Sequence, residues 1–87
     1  MTSKNIKESE ENIMFWVQES GNKNNSNYRL FYAEKETDLS LMPTDKVDGS
    51  QTNGDTVANK KCALGSEALV LETGSLYILS SEGWKAV

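Results

Sequence analysis

One stretch constrains this chain more than any other: Ser66 to Val87, which reads SEALVLETGSLYILSSEGWKAV. Two apolar runs, Ala68–Leu71 and Leu76–Leu79, flank Glu72-Thr73-Gly74-Ser75, and a second break at Ser80-Ser81-Glu82-Gly83 leads into Trp84-Lys85-Ala86-Val87. Short apolar runs separated by glycine-bearing turns are the pattern of a β-meander: strand, tight turn, strand, tight turn, short strand. Gly74 and Gly83 each sit where a hairpin needs one residue at positive φ, which glycine adopts without a Cβ clash. Thr73-Gly74 suits a type I′ loop poorly, because Thr resists positive φ; a type I turn with Gly74 in a G1 bulge fits better, and Ser81-Glu82-Gly83 follows the same scheme.

Two registers sort these side chains equally well. With a two-residue loop, Leu69 and Leu71 share a face with Leu76 and Ile78. With the bulge, Leu69 and Leu71 face Tyr77 and Leu79, while Ala68 and Val70 join Leu76 and Ile78. Either way each face of the hairpin is largely apolar, so both require cover, from the rest of the chain or from another subunit. Leu69, Leu71, Leu76 and Ile78 are the expected best-buried cluster, with Trp84 closing it.

The remainder of the chain offers little apolar material for that cover. Its 87 residues make one small domain, and only 37 % of them are hydrophobic, less than is usual for a globular domain. A chain of this size buries roughly 60 % of its unfolded surface. The single cysteine rules out an intrachain disulfide, and the lack of histidine argues against a zinc cluster. Additional stability is therefore expected from self-association or from docking on a larger assembly.

Upstream, residues 1–12 (MTSKNIKESEEN) are polar and read as a flexible N-terminal arm, or as a short helix or arm ordered against a neighbouring subunit. Residues 13–87 form the single β domain. Ile13–Val17 and Tyr28–Ala33 are rich in strand formers and are separated by the polar loop Gly21–Asn27, which makes a second hairpin. In Glu34–Pro43, Thr37 or Asp38 can cap one helical turn that Pro43 ends. Leu39, Leu41 and Met42 then plug one face of the sheet. Residues 44–61 (TDKVDGSQTNGDTVANKK) are a polar loop. It reads either as a type I′ turn at Asn53-Gly54 between edge strands around Val47 and Thr56-Val57-Ala58, or as a surface insertion. The fold class is thus all-β: a small antiparallel sheet or meander of two hairpins plus a short C-terminal strand, with little helix.

Catalytic chemistry is hard to find. Without histidine the usual general base near neutral pH is missing, along with Ser–His and Cys–His pairs. Cys62 becomes a nucleophile only if Lys60 and Lys61 lower its pKa; a buried structural thiol is the simpler reading. Asp45, Asp48 and Asp55 lack the alternating spacing and closing Glu of a calcium loop. No phosphate-cradling glycine loop is present. The net charge of −4 and nine scattered basic residues give no basic stripe for nucleic acid. No apolar run approaches a membrane span, and the charged N-terminus lacks an apolar signal region. We expect no enzyme, no cofactor, no metal, no nucleic acid and no membrane partner. The residues expected to carry packing or interface are Phe15, Trp16 and Tyr32 in the first hairpin, and Leu69, Leu71, Leu76, Tyr77, Ile78 and Trp84 in the meander.

The segment Gly65–Leu79, closed by Gly83-Trp84, resembles a pattern in small virion proteins of tailed bacteriophages and prophages of Gram-positive hosts. There a Gly-Ser, an apolar strand, a Thr-Gly or similar turn, a strand with Tyr and a closing Trp recur. Tyr32-Ala33-Glu34, Leu39 and Met42-Pro43-Thr44-Asp45 look like the lead-in that such proteins carry. The resemblance spans roughly residues 31–87 and leaves the first hairpin and the 44–61 loop unaccounted for. It implies a structural protein attached to head or tail, made in a bacterial cytoplasm, located in the virion, partnered by other virion proteins and homo-oligomeric, with a trimer as the implied state. Two alternatives of another class are a soluble binding module, such as an inhibitor that masks a host protein, and a receptor- or glycan-binding module using Trp16, Tyr28 and Tyr32.

Overall fold

The computed structural model describes residues 13–21, 27–52 and 56–87. The expected N-terminal arm, residues 1–12, and the Asn53-Gly54 turn lie outside them. Five strands form one sheet in the order β1-β2-β3-β4-β5: β1 (Phe15–Ser20), β2 (Arg29–Ala33), β3 (Glu67–Val70), β4 (Ser75–Ser80) and β5 (Gly83–Ala86). β1 and β2 form the first hairpin, and β3, β4 and β5 form the C-terminal meander. The all-β reading is what the chain adopts.

One joint in the sheet differs from an antiparallel meander: β2 and β3 run parallel, with Phe31 opposite Ala68 and Ala33 opposite Val70. Parallel neighbours need a long crossover, and residues 34–66 supply it. Its described residues pack on one face of the sheet and provide a third of the core.

Local chemistry shapes the crossover. Glu36–Leu41 is a 3-10 helix, and the Asp38 carboxylate reaches back to accept from the Lys35 N–H at 2.9 Å. Met42 leaves it in extended conformation ahead of Pro43. Met42 is buried, and Leu39 and Leu41 pack beside it against the core, as plug residues should. No strand forms around Val47 or at Thr56–Ala58; Thr56–Asn59 is instead a second 3-10 helix. The reason is visible in the hydrogen bonds. The Asn59 side-chain amide takes both backbone groups of Gln51, accepting from its N–H at 3.1 Å and donating to its carbonyl at 2.7 Å, so the loop closes on a side chain rather than on a ladder. Val47 and Val57 are left exposed while Ala58 is fully buried.

Gly49 sits at the tightest point of this closure. A Cβ there would stand 2.7 Å from the Leu41 carbonyl oxygen and 2.8 Å from Asn59 Oδ1. Gly74 and Gly83 take the expected positive φ, 74° and 109°, but the first turn is not the expected G1 bulge: Val70 lies opposite Ser75, and Leu69 shares a face with Leu76 and Ile78 rather than with Tyr77 and Leu79. The first loop is Leu71–Gly74, closed by the Gly74 N–H donating to the Val70 carbonyl at 2.7 Å.

The core lies between one sheet face and the crossover. Phe15, Phe31, Ala33, Ala68, Val70 and Leu79 come from the sheet, and Met42, Ala58 and Cys62 from the crossover. Phe31 is the hub, edge-to-face with Phe15 at 6.1 Å and with Trp84 at 5.9 Å between ring centroids. Offset or edge-on aromatic pairs add about 0.5–1.5 kcal/mol each beyond burial.

Candidate interaction surface

The sheet pairing divides the expected packing residues between two faces. Facing pairs share a side, so Phe15, Phe31, Ala33, Ala68, Val70, Tyr77, Leu79 and Trp84 lie on the core side. Trp16, Tyr32, Leu69 and Leu76, one from each of β1 to β4, form a continuous row on the other side. Val87 extends it, its N–H donating to the Leu76 carbonyl at 2.9 Å. A second row on the same side holds Leu30, Glu67, Ile78 and Lys85.

This distribution overturns the expected burial. Leu69, Leu71, Leu76 and Ile78 are not the best-buried cluster, and Trp84 does not close them. Leu69 and Leu76 are half-buried, Ile78 is 37 % exposed, and Leu71 sits in the turn at 44 %. Trp84 packs on the opposite face against Phe31. The physical cause is the crossover. It covers only one side, and it lies on the side where Ala33 and Ala68 leave room for a second layer to approach. The bulkier Tyr32, Leu69 and Leu76 occupy the side that no described residue covers. Alternation in β2 and β3 places the alanines together, which is the sequence signal that marks the covered face.

The open face is therefore an apolar row on a five-stranded sheet. Trp16 and Tyr32 pack edge-to-face at 5.9 Å between centroids and partly shield each other. Ile78 and Val87, at 37 % and 80 % exposure, have no such shield. Glu67 lies between Leu30 and Ile78, half-buried and without an ion-pair partner among the described residues. Antiparallel sheets usually present polar side chains to water on their free face; a contiguous apolar patch marks an interaction site.

Elsewhere the polar groups are committed to holding the fold. Trp84 Nε1–H donates to the Pro43 carbonyl at 3.1 Å, and the Lys46 ammonium donates to the Ser81 carbonyl at 2.6 Å. Ser66, fully buried, accepts from the Arg29 N–H at 3.0 Å, while the Arg29 guanidinium donates to the Lys60 carbonyl at 2.6 Å. The Tyr77 hydroxyl donates to the Glu36 carboxylate, and that hydrogen bond pushes the phenol above its ordinary range. Cys62 is a buried free thiol whose pKa is raised by desolvation, the opposite of an activated nucleophile. A surface depression of about 330 Å3 lies between Thr44–Val47 and Ser81–Gly83, lined by Asp45, Lys46 and Glu82 among its polar groups. Among the described residues no buried side-chain nitrogen or oxygen lacks a hydrogen-bond partner, and no group of three or more His, Cys, Asp or Glu converges on a point where a metal could sit. No helix among them is long and apolar enough to cross a membrane.

No family model, curated protein or solved structure matches this chain.

Proposed function

We propose that this protein is a non-enzymatic structural component of a phage particle, docking on capsid, neck or tail proteins through the uncovered face of its sheet. The observation that carries the docking role is the apolar row Trp16–Tyr32–Leu69–Leu76 on a face that no described residue covers. A contiguous apolar face of this kind marks a surface on which another molecule docks. The virion setting comes from the resemblance of residues 31–87 to small head- or tail-attached proteins, and the face is consistent with it. Polar groups spent on internal ties suit a part that is held in place by its neighbours.

The test is direct. Particles purified from the host should contain this chain at a fixed copy number by quantitative mass spectrometry, and purified protein should co-sediment with particles that lack it. Trp16→Ala should weaken that co-sedimentation. A protein absent from particles and indifferent to them removes the virion role and leaves a soluble binding module in its place.

A further inference from the structure

We infer that the β3–β5 half of the open face is an interface between two copies of this chain, packed face to face about a two-fold axis running along β4. The inference stands apart from the particle reading and rests on the register of one row. Glu67, Ile78 and Lys85 lie side by side on β3, β4 and β5, with Glu67 opposite Ile78 and Ile78 opposite Lys85.

A two-fold axis parallel to β4 exchanges the strands on either side of it. The partner's β5 then lies over β3, and the partner's β3 over β5. Ile78 meets its own copy, and so does Leu76. Leu69 meets the second copy of Val87, because Val87 lies beside Leu76 in the neighbouring row. Glu67 is placed opposite the second copy of Lys85, and by symmetry the same pair forms twice.

Four observations favour a second copy over an unrelated occupant. The carboxylate and ammonium flank Ile78 symmetrically, so the face is complementary in charge to itself. Glu67 is half-buried and has no cation beside it among the described residues. Among the described residues, Lys85 pairs with Glu82 alone, in a loose contact of 3.5 Å with both side chains largely exposed, and exposed pairs of this kind hold weakly. The most exposed apolar side chains of the face, Ile78 and Val87, are on this half. Sheets stack about 10 Å apart with their strands nearly aligned, and this axis keeps the strand directions aligned.

An isologous contact of this kind closes at two copies, which replaces the trimer implied by the resemblance. The overlap covers three short strands, so the contact is at the small end of protein interfaces and the dimer is a weak one. The dimer covers Leu69 and Leu76, so a particle protein docks on the Trp16–Tyr32 half of the row, which lies outside the overlap.

The experiment is sedimentation equilibrium on the full chain, with Glu67→Lys and Lys85→Glu made singly and together. Each single reversal sets like charges opposite one another and should weaken the dimer about tenfold or more at low salt. An equimolar mixture of the two single variants should restore association to within about threefold of the parent, because every contact in the mixed dimer is then between opposite charges. The double variant should restore it too. Repair by mixing cannot arise within one chain, and it survives any small loss of stability in either variant.

A parent that stays monomeric to millimolar concentration overturns the dimer. So does a dimer indifferent to both reversals, a trimer, or a monomer whose co-sedimentation with particles is abolished by Ile78→Glu, which would put a different protein on this face. A monomer found in particles refutes the dimer and leaves the virion role standing; a charge-repaired dimer absent from particles does the reverse.

Discussion

The Gln51 side-chain amide pairs with the Phe15 backbone as a neighbouring strand would. Its Oε1 accepts from the Phe15 N–H at 3.1 Å, and its Nε2 donates to the Phe15 carbonyl at 3.1 Å. The same Oε1 accepts from the Met14 N–H at 2.7 Å. A residue of the crossover, 4 % exposed, thus closes the outer edge of β1 where the sheet begins. Free edge groups invite pairing with other chains, and this amide blocks them at the end nearest the core.

Gln51→Leu should therefore destabilise the protein by about 2–4 kcal/mol, since it strands two donors and an acceptor beside the core. Chemical denaturation checks this. A loss below about 0.5 kcal/mol would mean that water replaces the amide and that the edge is open.

Gly49→Ala should cost about 1–3 kcal/mol. The added Cβ meets the Leu41 carbonyl oxygen at 2.7 Å, and backbone cannot swing aside as a flexible side chain can. A thermal melt unchanged from the parent would show that the crossover relaxes freely around Gly49.

The two sheet faces should answer differently to truncation. Leu79→Ala removes a core side chain and should cost about 2–5 kcal/mol. Leu76→Ala acts on the open face and should cost less than about 1 kcal/mol at concentrations below the association range. Equal losses at both positions would mean that the open face is covered within the monomer.

Trp84→Phe keeps most of the packing against Phe31 and removes the donor to the Pro43 carbonyl, which lies 3.1 Å from Nε1. The expected loss is about 1–2 kcal/mol, with Trp84→Ala costing more. Fluorescence-monitored unfolding is confounded here by the changed tryptophan content, so circular dichroism is the measurement to use.

Burial holds the Cys62 thiol in its neutral form by raising its pKa. The unfolded chain ionises first as pH rises past about 8.5, so the stability contributed by the neutral thiol is complete below that pH and is lost as pH climbs toward the folded value. Urea midpoints should fall more steeply between pH 8 and pH 10 for the parent than for Cys62→Ala. Parallel curves would mean that the thiol is solvated in the folded state. Lys60 and Lys61, adjacent in sequence, do not offset the burial.

The strands were legible in the sequence because their signals are local. Gly74 and Gly83 mark turns through backbone sterics, and short apolar runs between them leave no length for a helix. The plug at Leu39–Met42 was legible because Pro43 stops the helical piece, but its start was not: Lys35, and neither Thr37 nor Asp38, is the N-cap of Glu36–Leu41, and Asp38 lies inside the helix with its carboxylate accepting from the Lys35 N–H. What only the tertiary structure decided is which face of those strands is buried. Leu69, Leu76 and Ile78 are as apolar as Val70 and Leu79, and hydrophobicity does not distinguish them. The choice follows from where the crossover lies, which depends on the parallel joint of β2 with β3 and on the room left by Ala33 and Ala68. That is a non-local packing condition between residues more than thirty positions apart. It leaves Trp16, Tyr32, Leu69 and Leu76 together on the outside, and the only local trace of that choice is the alternation that sets Ala33 and Ala68 on the opposite face.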